Sequence, residues 1–246
     1  MRYLLSLVRL QLMNNSTKSL INSPVLQQIV GQYQALLTSV DEWFSRCQAS
    51  CEGQIHCVVG CSACCRGLFD ISLLDAFLLQ IGFRRLPLER QKSIRAKAMD
   101  RLRQLQVDWP ELRQPYLLNR LPDELWTEMP EDDPIPCPLL SEDGACLVYE
   151  HRPMICRTHG LPNIDDSGES FSDLYCTLNF EGIDPLSLDK LRWSFRRVYA
   201  QEFDLLALFN RELLGSPLRE ADTFIPLALL IDFPALVTDP SLVLSR

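Results

Sequence analysis

Apolar positions recur at helical spacing at both ends of the chain and lose that spacing in the middle. Ser23 followed by Pro24 is a cap and first-turn signal. After it Leu26, Val30, Tyr33, Leu37, Val40, Phe44 and Cys47 return every three or four residues. At 3.6 residues per turn that spacing makes one apolar stripe, so it predicts a helix, and Cys51 extends the stripe by four. Ser72 and Asp75 form a capping-box pattern ahead of Leu73, Leu74, Phe77, Leu78 and Ile81, with Gly82 expected as the stop. Pro87 is expected to start a third helix with Leu88, Ile94, Ala98, Leu102 and Leu105 on one side. Asp184 and Pro185 are expected to open a long helix through Leu191, Phe195, Val198, Leu205, Phe209 and Leu213, ended by Gly215 and Pro217. The tail after Thr223 is apolar but interrupted by Pro226, Pro234 and Pro240, which predicts short packed pieces.

The middle is rich in proline and turn residues. From Pro110 to Pro138 the chain is expected to be irregular, with room for a short helix near Asp123 to Thr127. Ser141 to Gly144 reads as a turn and Ala145 to Tyr149 as a short strand. There is no internal repeat and no alternation of strands with helices. The fold class is therefore mainly α, with helices around an irregular cysteine-rich metal-binding centre and little β. Residues 1–22 read as a poorly ordered N-terminal extension, with Met13 a second candidate start. Residues 23–246 read as a single helical domain, with the cysteine-cluster region at 57–176.

That region contains eight of the ten cysteines: Cys57, Cys61, Cys64, Cys65, Cys137, Cys146, Cys156 and Cys176. So much sulfur suits a soft or borderline metal, and these eight are the candidate ligands for an iron-sulfur cluster or zinc. Disulfides are the competing use. The start MRYLLSLVRLQLMNNSTK lacks a clear secretory cleavage site, which favours a cytoplasmic chain with reduced thiols. Adjacent Cys64 and Cys65 cannot easily bond to each other, and 246 residues at 47% hydrophobic can bury a core without staples.

Cys61 and Cys64, with two residues between them, can grip one ion. Adjacent side chains diverge, so Cys64 and Cys65 are expected to serve different metal atoms. Eight thiolates suffice for two four-thiolate sites or one polynuclear site. Cys47 and Cys51 read as buried small apolar residues, with auxiliary ligation as the alternative. All three histidines lie in or beside this region. His159, three residues after Cys156, is a candidate ligand or acid-base group, whereas His56 and His151 read as solvent-facing or locally satisfied. Arg66, Arg152 and Arg157 stand beside cysteines and can hydrogen-bond to sulfur or to loop carbonyls.

Charge narrows the partners. A net charge of -8 and no apolar run approaching a bilayer's thickness argue against nucleic acid and membrane, leaving a metal ion or cluster and a protein as candidate partners. Between Arg84 and Arg103 eight Lys or Arg residues meet only Glu89 and Asp100, and Asp123 to Asp133 holds six carboxylates and no base. The first expectation for both is a solvated surface.

The motif Cys61 to Cys65, then Cys137-Pro-Leu-Leu140, then Cys146 through Tyr149, Glu150, Arg152, Pro153, Cys156 and Arg157, with Cys176 late, resembles the YkgJ-type cysteine-cluster family. That family is described as zinc- or iron-chelating. The chain departs from the family's shorthand in having three residues between Cys57 and Cys61. The resemblance implies metal handling or a redox role. The alternative is a metal-dependent protein-modifying enzyme, because flagellin lysine N-methylases resemble the same family. Cys57, Cys61 and Cys64 also fit the spacing of radical S-adenosylmethionine enzymes, but Ala63 stands where those usually have an aromatic, and no strand-helix repeat is present.

Overall fold

The computed structural model describes residues 23–58, 60–121, 134–218 and 220–244. The expected extension at 1–22, the acidic run and the short helix near Asp123 lie outside them, apart from Ser23 onward.

Helix α1 spans Pro24–Ser50, and Ser23 caps it by accepting a hydrogen bond from the Leu26 amide at 3.4 Å. Its stripe buries Tyr33, Leu37, Val40, Trp43 and Cys47, and Cys51 just beyond is equally buried. Strand β1 (Asp70–Ser72) leads directly into α2 (Leu73–Arg85), where Ser72 accepts from the Asp75 amide at 3.1 Å. Helix α3 runs Leu88–Asp108 and buries Ile94, Ala98, Leu102 and Leu105, while Leu88 is exposed, contrary to its place in the predicted stripe. It stands in the first turn, before the helix reaches the core.

Further elements are short until α5. They are α4 (Met154–Thr158), β2 (Asn163–Ile164) and β3 (Ser170–Ser172). Helix α5 spans Phe195–Leu214 and ends at Gly215 in the left-handed conformation, φ 72°. After β4 (Asp222–Phe224) come α6 (Ile225–Ala228), α7 (Phe233–Thr238) and α8 (Ser241–Leu244), the short pieces predicted. The architecture is mainly α. β1 pairs antiparallel with β4, Ile71 opposite Thr223, and β2 with β3. These strands of two or three residues are too short to leave a periodic trace.

Three expected boundaries move. Gly82 does not stop α2; it lies inside the helix, where an added Cβ would stand 2.6 Å from Cγ of His151. Its smallness serves a helix-to-ring contact. Asp184 caps only the single turn Pro185–Ser187, accepting from the Leu186 amide at 3.0 Å, and a second turn at Asp189–Leu191 precedes α5. Leu191, ahead of Phe195, is buried by this stepped path instead of by a continuous helix, while Leu186 stays exposed. Ala145 to Tyr149 forms no strand, only an isolated bridge between Leu140 and Cys146 and then a turn at Tyr149–His151.

The main core lies where α1 meets α5, α2 and α4. Trp43 stacks on Trp193, meets Phe195 edge-on with ring centres 4.9 Å apart, and donates its indole N–H to the Leu191 carbonyl at 3.0 Å. A buried aromatic with its one polar atom satisfied is a strong anchor. A smaller apolar cluster joins the end of α3 to Trp109, Leu112, Leu118, Phe224 and Leu227.

Candidate metal centre

All eight candidate cysteines line one cavity of about 1210 Å³. Cys47 and Cys51 do not; they sit in the main core, and burial pushes the Cys47 thiol up to about 12. Every one of the ten is a free thiol.

Turns bring the first four inward. The Gln48 side chain at the end of α1 donates to the Cys57 carbonyl at 2.6 Å. Cys61 N–H bonds to Val58 O at 2.9 Å and Cys65 N–H to Ser62 O at 3.0 Å, so consecutive turns present Cys61, Cys64 and Cys65. The second loop is tied to the first through Cys137 N–H to Cys65 O at 2.8 Å. Gly144 closes the Ser141 turn with φ 81°, and a Cβ there would approach the Gly60 carbonyl to 3.0 Å. Only glycine lets the two loops touch at that point.

Cys156 sits on α4, and the Arg-Pro element around it is scaffolding. Arg157 is 7% exposed; it donates to the carbonyls of Arg152 and Glu150, both at 3.0 Å, and pairs with Asp41 of α1. Arg152 lies over the Tyr149 ring, 3.7 Å from its centre, and donates to the Cys156 carbonyl at 3.3 Å. Arg66 donates to the Pro134 carbonyl at 3.1 Å. All three arginines thus donate to backbone carbonyls around the site. No side chain within α4 caps its start; Asp75 of α2 does so from across the fold, accepting from the Met154 amide at 3.2 Å.

Asp75 also meets Tyr33, whose hydroxyl stands 2.8 Å from Asp75 and 2.9 Å from Glu202 of α5. One phenolic hydrogen cannot serve both carboxylates, so the second contact needs a proton on a carboxyl. Burial, then the Asp75 charge, pushes Glu202 up to about 8, and burial pushes Asp75 up to about 6. Glu202 is accordingly the group that holds the proton, donating to the Tyr33 oxygen while Tyr33 donates to Asp75.

Asn179 has no sequence signal and is 2% exposed. Its amide nitrogen donates to Cys57 Sγ at 3.4 Å and to the Gly160 carbonyl at 2.7 Å, and its oxygen accepts from the His56 amide at 2.8 Å. Cys176 N–H bonds the same Gly160 carbonyl at 3.3 Å. A Cβ on Gly160 would stand 2.9 Å from Cys57 Sγ, so this glycine is also part of the site.

The thiols form two neighbourhoods. Cys57 is raised by burial, against the Asn179 hydrogen bond, with Cys176, Cys61 and Cys64 as its charged neighbours. Cys156 is raised well above the ordinary thiol range by burial, with Cys137 and Cys146 as neighbours. Burial likewise pushes Cys137 up to about 12 and raises Cys146. Cys64 is raised first by its hydrogen bond with Cys65 and then by burial. Crowded, half-buried sulfur holds its protons unless a cation replaces them.

Among the described residues no three Cys, His, Asp or Glu side chains already stand close enough together to hold one ion. The donor set fits zinc or iron by its chemistry, and the turns carrying it must draw in to complete a shell. His159 lines the cavity beside the thiols, edge-on to Phe69 at 4.7 Å, and burial lowers its pKa. His151 is turned away, 3.1 Å from Arg85, and His56 is exposed.

No curated protein and no solved structure matches the chain. Residues 56–176 match the profile of a family described as "CxxCxxCC: Putative zinc- or iron-chelating domain", and their bounds coincide with the loops that turn the eight thiols into the cavity. Residues 56–176, just under half of the chain, are thus similar to this CxxCxxCC family.

Proposed function

We propose that the protein binds iron, as an iron-sulfur cluster, or zinc through Cys57, Cys61, Cys64, Cys65, Cys137, Cys146, Cys156 and Cys176, and acts in metal handling or redox chemistry. The observation that carries this reading is that these eight sulfurs share one cavity while Cys47 and Cys51 are packed elsewhere. Two half-sites suit the thiol neighbourhoods. Cys57, Cys61, Cys64 and Cys176 form one; Cys65, Cys137, Cys146 and Cys156 form the other, joined by the Cys137 to Cys65 backbone bond. Cys64 and Cys65 fall on either side of this division, although their adjacent side chains hydrogen-bond to each other instead of diverging as the sequence led us to expect.

Bound metal would supply charge compensation for the thiolates and a structural tie between loops, and an iron-sulfur cluster would add electron transfer. The chain's own residues orient the ligands: Asn179 donates to Cys57, and Arg152 places positive charge near Cys64, Cys146 and Cys156. Iron-sulfur is preferred to zinc, since eight thiolates along one continuous cavity suit a polynuclear cluster.

Metal and acid-labile sulfide analysis with an absorption spectrum, on protein purified without oxygen, tests the reading. Iron with sulfide and a brown charge-transfer band is the expected result. Stoichiometric zinc in colourless protein selects the other metal, and neither metal in Cys-reduced protein overturns the proposal.

A further inference from the structure

Three separate contacts tie His159 to the cysteine-bearing segments. Cys156 lies three residues earlier on α4, and the His159 amide ends that helix by bonding to the Ile155 carbonyl at 3.0 Å. Gly160, the next residue, is the one whose added Cβ would stand 2.9 Å from Cys57 Sγ, and its carbonyl accepts from the Cys176 amide at 3.3 Å. The imidazole meets the Phe69 ring edge-on with centres 4.7 Å apart. Phe69 in turn covers Gly67, just past Cys65, where an added Cβ would come within 2.6 Å of the same ring. His159 thus stands between the two thiol groups, reaching Cys57 and Cys176 through Gly160, and Cys156 and Cys65 through α4 and Phe69.

The polar atoms of this ring are uncommitted. Neither ring nitrogen hydrogen-bonds to a described residue, and the half-buried side chain lines the cavity beside the thiols. The other two histidines differ on both counts: the His151 ring is 3.1 Å from Arg85 outside the cavity lining, and His56 is exposed. Burial lowers the His159 pKa, so the neutral ring with a free lone pair prevails near neutral pH, and that is the form a metal takes.

We propose that His159 is a ninth metal ligand, giving at least one metal atom of the centre a nitrogen donor beside its thiolates. The proposal rests on the metal reading above and adds a residue that reading leaves out. Imidazole suits zinc and iron alike. Eight thiolates already crowd one cavity with negative charge, and a neutral donor completes coordination without adding to it. On an iron-sulfur cluster, imidazole in place of a thiolate also raises the reduction potential.

X-ray absorption at the edge of whichever metal the purified protein carries, iron or zinc, tests this, with metal content measured on every sample. Imidazole scattering is expected in the wild type and in His56→Ala, and sulfur ligation alone in His159→Ala and His159→Cys. His159→Ala should also hold metal roughly tenfold or more weakly in chelator competition, whereas His159→Cys, which restores a donor, should retain it better than His159→Ala. Sulfur ligation alone in the wild type overturns the proposal. So does imidazole scattering that persists in either His159 variant, or metal retention in His159→Ala equal to that of the wild type. His159→Cys keeps the assignment testable if His159→Ala does not fold. Protein carrying neither metal marks failure of the metal reading itself, and metal held by sulfur alone marks failure of this inference only.

Discussion

The helical shell and the cysteine-lined loops are stabilised by different physics, although α1 feeds both. In the shell, capped helices bury Tyr33, Trp43, Phe195 and Phe209 completely, and the one polar atom of Trp43 has its partner. In the loops, Leu139, Val148, Leu161 and Ile164 reach the main core, but single backbone bonds such as Cys137 to Cys65 and Cys176 to Gly160 join the segments that present eight half-buried thiols. The shell therefore has its stabilising contacts within the chain. The loops have donors arranged for something outside it.

Chelation should break this parallel most sharply. Structural zinc supplies roughly 10 to 16 kcal/mol of apparent binding energy, as much as a whole domain's net stability. Hydrogen exchange after complete chelation is expected to show loss of protection across 57–65, 137–149 and 156–176, with α1 and α5 still protected. Unchanged exchange in the loops, or uniform loss throughout, would remove the distinction.

Substitutions in the two regions should then differ in kind. Trp43→Ala is expected to cost about 3–5 kcal/mol by opening a cavity between α1 and α5, measured by urea unfolding, with metal stoichiometry unchanged in the folded fraction. Asn179→Ala should cost less, about 1–3 kcal/mol for the buried partners it leaves unpaired, but should lower metal retention in a competition assay. If Trp43→Ala releases metal and Asn179→Ala does not, the boundary between the regions is drawn in the wrong place.

The smallest effect concerns pH within the shell. Asp75 and Glu202 are raised to about 6 and about 8, so the folded state binds more protons than the unfolded state above the ordinary carboxylate range. Their contribution is complete below about pH 4 and is lost as pH rises through 6 to 8. Metal-loaded wild-type protein should accordingly lose stability to urea between pH 5.5 and 8.5 relative to Glu202→Gln, by about 1–2 kcal/mol. Parallel pH profiles for the two proteins would mean that Glu202 does not hold the proton.

Local signals account for much of the shell. The cap at Ser23, the stripe to Cys47, the Ser72 cap and the left-handed Gly215 all act within one or two turns, so their spacing is legible in one dimension. Gly82 and Asp184 misled for the same reason: each carries a genuine local signal whose outcome depends on a distant contact. His151 packing on Gly82 comes from the 3-10 turn 69 residues later in the chain.

The eight ligand candidates were readable from residue type and motif, because thiols in such number have few uses. Their grouping was not. Cys57 meets Cys176 through Asn179 and Gly160, and Cys137 meets Cys65 across a long loop, contacts that no spacing encodes. The basic run of α3 is exposed at Arg90, Lys92, Arg95, Lys97 and Arg103, as its reading as solvated surface expects. Identity and short-range geometry are properties of the chain alone, whereas partnership is decided when buried surfaces close, which is why the thiols could be named from the sequence and the meeting of Cys57 with Cys176 through Asn179 and Gly160 could not.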